Sequence, residues 1–404
     1  MANTLKFGNG DWATKEGSTL AYNNENGNFK PLPFDFTRAG SATKVNKQGL
    51  IEVVSNNEPR IDFTDNSKGA LLLEPQRTNS ITHSNDFSQS IYGKFNLTIT
   101  ANEGISPDGT QNANLLVPNA SVGNRYLTNI TGSNLKTNTV FLKKKELRYV
   151  KVGNAQSNVL VDLENGTISA SSVSTNNFTI ENYGNGWYRV SCFNTLDVNL
   201  QIQIFFGIDG SGSNIATNGT DGVYIYGFEI QNGSYATSYI PTSGSAVTRL
   251  ADVCNNGGNE QVINSTEGVL YFEGSALADG SVDKRIYIDD GTMNNYVAIG
   301  YSRFAGNIIS EIISGGVLQT VNWGATGVNQ TNNNKFALSW GSGTMKFYVN
   351  GTQTNTESVT SPTGLNVLEF NTSINTLFME ANVKDVRVYN TTLTDAELQA
   401  LTQV

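Results

Sequence analysis

Residues 158–170 read NVLVDLENGTISA and carry the pattern that decides the fold. Val159, Val161 and Leu163 recur at every second position, which places their side chains on one face of a β-strand. Asn165-Gly166 separates this run from a second alternating run, and Asn-Gly favours a type I′ turn because both central residues need a positive φ. The stretch therefore predicts a β-hairpin with one face in a core.

The same pattern recurs in MKFYVNGTQT (345–354), where Asn350-Gly351 is the predicted turn. Two near-continuous apolar runs, QIQIFFGI (201–208) and GVYIYGFEI (222–230), predict strands buried between two sheets. One helix is expected, in LTDAELQAL (393–401), where Thr394 and Glu397 fit a capping box. The predicted class is all-β.

The length of 404 residues suggests two to three domains, and 38% hydrophobic residues with 10% aromatics are enough for real cores. We predict an N-terminal leader at 1–79, one strand-rich module at 80–250 and a second at 251–404. CNNGGNE (254–260) is the expected linker between the modules. The predicted architecture is two tandem jelly-roll β-sandwiches after a short β/turn-rich N-terminal segment, with one short C-terminal helix.

Charge and cysteine content exclude several function classes. A net charge of −9 argues against binding to nucleic acid phosphates, which depends on Lys and Arg. The N-terminus has no apolar signal region and the chain has no apolar run of membrane-spanning length, so neither secretion by a signal peptide nor membrane insertion is expected. Two isolated cysteines, Cys192 and Cys254, form no disulfide framework, which fits a reduced assembly compartment.

Catalytic signatures are weak in this sequence. His83 is the only histidine, which excludes any site that needs two, and its polar surroundings predict a solvent-facing side chain. A glycosidase needs two carboxylates roughly 5–10 Å apart in a cleft. No catalytic residue is predicted, and the candidate carboxylates for that alternative are scattered: Asp289, Asp290, Glu311, Glu380 and Asp385.

Sugar binding is the chemistry that the loops suggest, because aromatic faces stack on pyranose rings while Asn and Asp bond the hydroxyls. Trp187 and Trp340 lie in strand patterns and are predicted to be core residues, whereas Trp323 lies among polar loop residues. The predicted carbohydrate-binding set is Asp290, Asn294, Asn295, Tyr301, Arg303 and Trp323. Asp, Asn and backbone carbonyls also suit Ca²⁺, so a Ca²⁺ site is left open, and no other cofactor is expected.

The stretch FDFTRAGSATKVNKQGLIEVVSNNEPRIDF (34–63) predicts short strands separated by turns. Its two arginines have acidic residues close by in the sequence. We therefore expect Arg38 and Arg60 to form local ion pairs with Asp35, Glu58 and Asp62.

The C-terminal module resembles laminin-G-like, concanavalin-A-like jelly rolls. The matching stretches are EGVLYFEG (267–274), KFALSWGSGTMKFYVNGTQ (335–353) and VKDVRVYNTTLTDAELQAL (383–401). The resemblance implies a two-sheet sandwich of a kind often used to bind glycans or proteins.

The central module is similar to carbohydrate-binding-module-like jelly rolls of phage structural proteins. It opens with SNDFSQSIYGKFNLTITANEGISPDGTQNANLL (84–116) and closes with VYIYGFEIQNGSYATSYIPTSGSAVTRLADVC (223–254). The leader resembles the segment before such modules in tailed-phage virion proteins, including those of phages of Bacteroidota and crAss-like phages.

These resemblances imply a non-enzymatic virion protein, a tail or head fibre or appendage subunit that attaches to host-surface glycans. Its expected partners are other virion proteins, a host cell-surface glycan and further copies in a trimer, with the virion, assembled in the host cytoplasm, as its location. Two alternatives stay open: a purely structural head-fibre or capsid decoration protein, and a glycan depolymerase.

Overall fold

The structure, a computed structural model, describes residues 4–23, 30–64, 66–120, 123–129, 136–153, 157–172, 178–193, 202–280, 282–322, 327–371 and 378–404. The chain divides into two compact units. Unit 1 comprises Met1–Ser41, Val54–Gln76 and Leu250–Val404, and unit 2 comprises Ala42–Val53 and Arg77–Arg249.

Short strands make up nearly all of the regular structure. Up to residue 76 they are, in chain order, β1 (Leu5–Gly8), β2 (Thr14–Lys15), β3 (Ser18–Asn23), β4 (Lys30–Thr37), β5 (Ala42–Val45), β6 (Ile51–Val54), β7 (Ile61–Asp62) and β8 (Ala70–Leu73). From 77 to 249 they are β9 (Arg77–Asn79), β10 (Tyr92–Phe95), β11 (Leu97–Ile105), β12 (Gln111–Pro118), β13 (Tyr126–Asn129), β14 (Lys136–Lys144), β15 (Tyr149–Gly153), β16 (Asn158–Asp162), β17 (Thr167–Ser172), β18 (Phe178–Asn182), β19 (Trp187–Phe193), β20 (Gln203–Phe205), β21 (Val223–Asn232) and β22 (Val247–Arg249). From 250 onward the elements are β23 (Val253–Asn255), β24 (Gly268–Ala276), β25 (Lys284–Asp289), β26 (Tyr296–Tyr301), β27 (Ile308–Ser314), β28 (Val317–Asn322), β29 (Asn334–Gly341), β30 (Thr344–Val349), β31 (Thr352–Ser358), β32 (Val367–Glu369), β33 (Ala381–Tyr389) and α1 (Asp395–Thr402).

Unit 1 contains a twelve-stranded and a five-stranded sheet. The larger sheet runs β23-β4-β3-β1-β33-β24-β29-β30-β31, with β2 paired to β3 and β8 paired to both β33 and β7. The smaller sheet runs β28-β27-β26-β25-β32. One core cluster takes Phe272 and Leu338 from the larger sheet and Ile288 and Val297 from the smaller, so unit 1 is a β-sandwich.

The N-terminal strands belong to the same sheet as the C-terminal module. In β1, Leu5 pairs with Val388 of β33, and Phe7 pairs with Val386. The described residues of the predicted leader are thus divided between the two units, with 1–41 and 54–76 in unit 1. The unit boundaries at 76/77 and 249/250 lie close to the predicted module boundaries.

The expected linker at 254–260 is built into unit 1, which corrects the reading of this stretch as a surface connection. Cys254 pairs with Phe36 between β23 and β4, and the amides of Gly257 and Leu368 each donate to the other's carbonyl. A Cβ atom at Gly257 would lie 2.1 Å from the Phe34 ring, so only glycine allows this close approach.

Unit 2 contains two six-stranded sheets, ordered β10-β13-β20-β15-β16-β17 and β11-β12-β21-β14-β19-β18. Its core takes Val159 and Ile204 from the first sheet and Leu142 and Ile225 from the second. Two pairs of short strands, β5-β6 and β9-β22, accompany them. The all-β class with sandwich sheets and one short C-terminal helix is confirmed.

The two predicted hairpins differ at their turns. Asn350 and Gly351 have φ values of 48° and 81°, which confirms the type I′ prediction. At residues 165–166 only Gly166 has a positive φ, 64°, so the type I′ prediction is wrong there. The amides of Glu164 and Asn165 donate to the Asp162 carboxylate, which stabilises a longer loop instead.

The core predictions hold for the hairpin strand and for two tryptophans. Val159, Val161 and Trp340 are fully buried, and only 1% of the Trp187 surface is exposed. In α1 the predicted capping box is present: the Glu397 amide donates to the Thr394 hydroxyl, and the Glu397 carboxylate accepts from the Thr394 amide. Among the described residues, no helix is long and apolar enough to cross a membrane.

Both cysteines are free and buried, Cys192 in unit 2 and Cys254 in unit 1. Burial raises the pKa of the Cys192 thiol to about 12 and raises that of Cys254 well above its usual range. These thiols therefore act as small core residues.

His83, the only histidine of the chain, is half-buried rather than fully solvent-facing.

The partners of Arg38 and Arg60 correct the expectation of local ion pairs. Arg38 Nη1 lies 3.1 Å from the Asp252 carboxylate, and Arg60 Nη2 bonds the other oxygen of the same group. Arg60 Nη1 also lies 2.6 Å from Glu74. Both arginines are thus tied to a residue about 200 positions later in the chain.

Candidate functional site

The first sheet of unit 2 presents one row of aromatic side chains on the face turned away from the core. The register aligns Phe95 with Tyr126, Tyr126 with Phe205, and Phe205 with Lys151 across β10, β13, β20 and β15. We call these four residues the aromatic row. Directly paired residues in antiparallel strands point to the same face, so the four side chains lie side by side.

Strand alternation explains why this row faces outward. In the stretch around β20, Ile202, Ile204 and Phe206 are buried, whereas Gln203 and Phe205 between them are only half-buried. The prediction that QIQIFFGI is buried on both faces is therefore wrong for its outward positions. Strand β21, in contrast, is buried on both faces from Ile225 to Gln231, as predicted.

The rings of the aromatic row form a continuous platform. The Phe95 and Tyr126 ring centroids are 5.2 Å apart with planes inclined by 14°, and the Tyr126 and Phe205 centroids are also 5.2 Å apart, with planes inclined by 51°. The Lys151 ammonium lies 4.9 Å from the Phe205 centroid, within cation–π range. Phe95 is 48% exposed, so the platform is open to solvent at that end.

Polar side chains flank the platform on the same face. Gln203 pairs with Thr128 on one side and with Gly153 on the other. These positions lie two residues along the strands from the aromatic row and therefore on the same face. Gly93, which pairs with Thr128, adds no side chain, and a Cβ there would lie 2.8 Å from the Thr128 methyl group. The face thus combines one exposed and two half-buried rings with an amide donor and a cation.

The structure separates the predicted sugar-binding residues of unit 1 to the two ends of β26. Asp290, Asn294 and Asn295 lie before the strand, whereas Tyr301 ends it and Arg303 follows. Six residues of strand span about 17–20 Å, so the two groups do not form one site. Trp323, the remaining candidate, lies outside the described residues.

The three residues before β26 hold the local loops together. The Asn295 side-chain amide donates to Asp290 at 2.8 Å, and its oxygen accepts from the amides of Gly315 and Thr363. Partial burial would raise the pKa of Asp290, but hydrogen bonds from Asn295 and Thr292 lower it. The amide of exposed Asn294 donates to the Thr292 hydroxyl.

Tyr301 is corrected from a sugar contact to a core residue. Its side chain is fully buried, its hydroxyl donates to the Gly274 carbonyl at 2.7 Å, and its ring packs on Phe336. Arg303 does reach solvent, with 55% of its side chain exposed and its backbone amide bonded to Asp283. Sugar contacts by Asp290, Asn294, Asn295 and Arg303 stay predictions.

Two buried carboxyl groups lie on the outer face of the smaller sheet of unit 1. Tyr287 pairs with Glu369 and Asp289 with Val367, so Asp289 and Glu369 are diagonal neighbours, about 7–8 Å apart at Cα. Burial, followed by the charge of Asp289, raises the pKa of Glu369 to about 7. Burial also raises the pKa of Asp289, against the hydrogen bond from the Gly291 amide.

This pair lacks the open cleft that a glycosidase needs for its two carboxyl groups. Asp289 is 0% and Glu369 is 6% exposed, so both carboxyl groups are closed to solvent. Among the residues that the structure describes, no three His, Cys, Asp or Glu side chains form a group that could hold a metal ion.

The aromatic row was missed from the sequence, although a signal for it existed. Three stretches each place a ring at an alternating position of a short strand: IYGKFN, RYLTN and QIQIFF. The separate strands show no sign that these rings align, because the register of β13 with β20 joins residues about 75 positions apart. Loop tryptophans were the more visible candidates.

The sequence matches no family model and no curated protein. Among solved structures, the CBM40 of a Ruminococcus gnavus IT-sialidase bound to α2,3 sialyllactose is 17% identical, with a TM-score of 0.31 over 37% of this chain and 93% of that one. Domain 4 of the Geobacillus stearothermophilus arabinanase AbnA, in complex with arabinotriose, is 14% identical with a TM-score of 0.30, over 43% and 84%. Trypanosoma rangeli sialidase is 10% identical with a TM-score of 0.30, over 97% and 83%. Similarities this low assign no family and no function to this chain.

Proposed function

We propose that the protein is a non-enzymatic glycan-binding protein and that the aromatic row of unit 2 is its sugar-binding surface. The observation that supports this is the platform of Phe95, Tyr126 and Phe205, three neighbouring rings on the outer face of the sheet, of which Phe95 is exposed and Tyr126 and Phe205 are half-buried. Pyranose rings have apolar faces that stack on aromatic rings, and each such contact removes apolar surface from water.

The shape of the platform suits a glycan chain better than a single sugar. Two successive centroid spacings of 5.2 Å give an elongated, shallow surface rather than an enclosed pocket. Lys151 and Gln203 can donate to sugar hydroxyls beside the rings. A shallow surface binds weakly for each chain, so useful adhesion comes from several copies that act together.

Removal of Phe95 is the direct test. We expect Phe95→Ala to weaken binding of any neutral glycan recognised on a glycan array by at least tenfold, about 1.4 kcal/mol, because the most exposed stacking face is lost. Since the ring is 48% exposed, the melting temperature changes little. Isothermal titration with the best array ligand measures the change.

Phe304→Ala provides the matched control. Phe304 is 55% exposed and lies 5.7 Å from the Arg303 guanidinium, so it is another exposed ring beside a cation, but it lies in unit 1. This variant keeps full glycan binding. Equal losses in both variants, or no glycan bound by the unmodified chain, contradict the proposal.

We further propose that the protein is a subunit of a tailed-phage fibre or appendage and attaches virions to host-surface glycans. The support is the resemblance of its leader and modules to virion proteins, and a trimer would supply the avidity that a shallow platform needs. Labelled virions under the electron microscope test the location. Adsorption unchanged by deletion of the gene contradicts the attachment role.

One observation favours the purely structural alternative. The edge strand β28 exposes Val317 by 62% and Leu318 by 50%, and an apolar sheet edge suits packing against a neighbouring protein. If deletion leaves adsorption intact but destabilises the particle, a decoration role replaces attachment.

A further inference from the structure

A cavity of about 460 Å³ lies in unit 1, outside the surfaces described above. It opens beside the last turn of α1, where Ala400 and Leu401 form part of its wall. Tyr271 contributes to the floor and belongs to the cluster under α1 rather than to the main core, which places the cavity on the outer side of the larger sheet. This volume is in the range of small-molecule sites.

The cavity is cationic although the whole chain is acidic. Four cationic and two acidic side chains line it, an excess of two positive charges, whereas the chain carries −9. The cationic residues are Lys68, Lys335, Lys384 and Arg387. A concave surface with one sign of charge attracts ligands of the opposite sign.

The two acidic side chains are already neutralised by two of the four cations. Arg387 Nε and Nη2 both donate to the Asp385 carboxylate, at 3.0 and 2.5 Å from its Oδ2. The Lys335 ammonium lies 4.0 Å from Glu273 and 2.9 Å from the Gln403 carbonyl. The surplus charge therefore belongs to Lys68 and Lys384.

The backbone directs both of these lysines to the cavity. Glu273 pairs with Asp385 but Gly274 pairs with Val383, so Lys384 is the extra residue of a β-bulge. A bulge re-aims the side chains of an edge or site, and here the Asn9 amide donates to the Lys384 carbonyl. The Lys68 ammonium donates to the Asn9 side-chain oxygen at 2.9 Å, which holds it at the same rim.

We propose that this cavity binds a carboxylated sugar, such as a uronic acid residue, with its carboxylate between Lys68 and Lys384. The Tyr271 ring is buried beneath the Arg387 guanidinium, which lies 5.4 Å from its centroid, and the partly buried Leu401 side chain in the cavity wall offers an apolar contact for the pyranose ring. The side-chain amides of Asn9 and Asn66 lie within reach of hydroxyl groups. The site is separate from the aromatic row and gives the chain a second, charge-dependent specificity.

Titration of the full chain with D-glucuronic acid, with D-glucose as the neutral probe and inorganic phosphate as a plain anion, tests the assignment. We expect saturable binding of glucuronate that weakens severalfold from about 50 to about 500 mM salt, and at least tenfold weaker binding of glucose and phosphate. Lys68→Met with Lys384→Met reduces glucuronate binding at least tenfold while keeping the apolar stems.

Lys346→Met is the matched control, because Lys346 is a partly exposed lysine of unit 1 that pairs with Asp395 outside the cavity. It leaves glucuronate binding unchanged, and so does Phe95→Ala, which separates this site from the aromatic row. Binding of phosphate as tight as glucuronate, glucose as tight as glucuronate, or no loss in the double lysine variant overturns the assignment. A folded double variant, checked by its melting temperature, is required for the comparison.

Discussion

Asp252→Asn is expected to lower the free energy of unfolding of unit 1 by about 3–5 kcal/mol, the largest effect of a single substitution proposed for this chain. Asp252 accepts from Arg38 at one carboxylate oxygen and from Arg60 at the other, and the Glu74 amide donates to it at 2.9 Å. The side chains of Arg38, Arg60 and Asp252 are all fully buried. An amide in place of the carboxylate leaves two buried guanidinium groups with one acidic partner between them.

The other contacts of the arginines limit the damage but do not replace the lost charge. Arg38 also donates to the carbonyls of Ser55 and Glu58, at 2.6 and 2.9 Å. Burial lowers the pKa of Arg38, and the charge of Asp252 opposes this effect. Hydrogen bonds to carbonyls satisfy the N–H donors, whereas compensation of a buried charge needs an anion.

Urea unfolding measures the loss of unfolding free energy. Calorimetry of thermal unfolding separates the transitions of the two units. Asp35→Asn is the control, because Asp35 is exposed and is the acid that lies close to Arg38 in the sequence. It is expected to change stability by no more than about 0.5 kcal/mol. A loss of stability from Asp35→Asn as large as that from Asp252→Asn would support the local ion pair of Arg38 with Asp35 and contradict the buried network.

The periodic parts of this fold are readable from the sequence because they depend on neighbouring residues. Alternation in NVLVDL, the Asn350-Gly351 turn and the Thr394–Glu397 box each act within a few positions, and the structure has all three. The turn at Asn165-Gly166 departs from expectation because Asp162 supplies side-chain acceptors that favour another loop. Local rules thus apply until a side chain competes with them.

Features that depend on distant pairing were not readable. The match of Leu5 with Val388 places the N-terminal strands in a sheet with the last strand, and no pattern near either residue indicates it. The partners of Arg38 and Arg60 were missed for the same reason, since Asp252 is about 200 residues away. The aromatic row and the cationic cavity also combine side chains from strands far apart in the chain.

Glu369 gives the second large prediction: the unmodified protein loses stability as the pH rises from about 4.5 to about 7. The folded-state pKa is raised to about 7 by burial and by the charge of Asp289, whereas an unfolded chain has an ordinary Glu pKa near 4.5. Between these values the folded state binds more protons than the unfolded state, so its stability falls with increasing pH and becomes level above pH 7.

The size of the effect follows from the shift. Each pKa unit corresponds to about 1.4 kcal/mol, so the difference between 4.5 and about 7 sets an upper limit of about 3.4 kcal/mol. Other charges nearby are compensated: Arg285 lies 3.0 Å from Asp283 and also bonds Glu311. Because Asp289 and Glu369 interact, the measured midpoint belongs to the pair rather than to either residue.

Glu369→Gln removes this titration while it keeps the shape of the protonated side chain. We expect the stability of the variant to equal that of the unmodified protein below about pH 4 and to exceed it by up to about 3.4 kcal/mol at about pH 8, measured by urea unfolding across that range. Glu357→Gln, at an exposed position of β31, is the control and leaves the pH profile unchanged. If Glu369→Gln follows the same profile as the unmodified protein, the carboxyl group is ionised in the folded state and the buried, protonated form assigned to it is wrong.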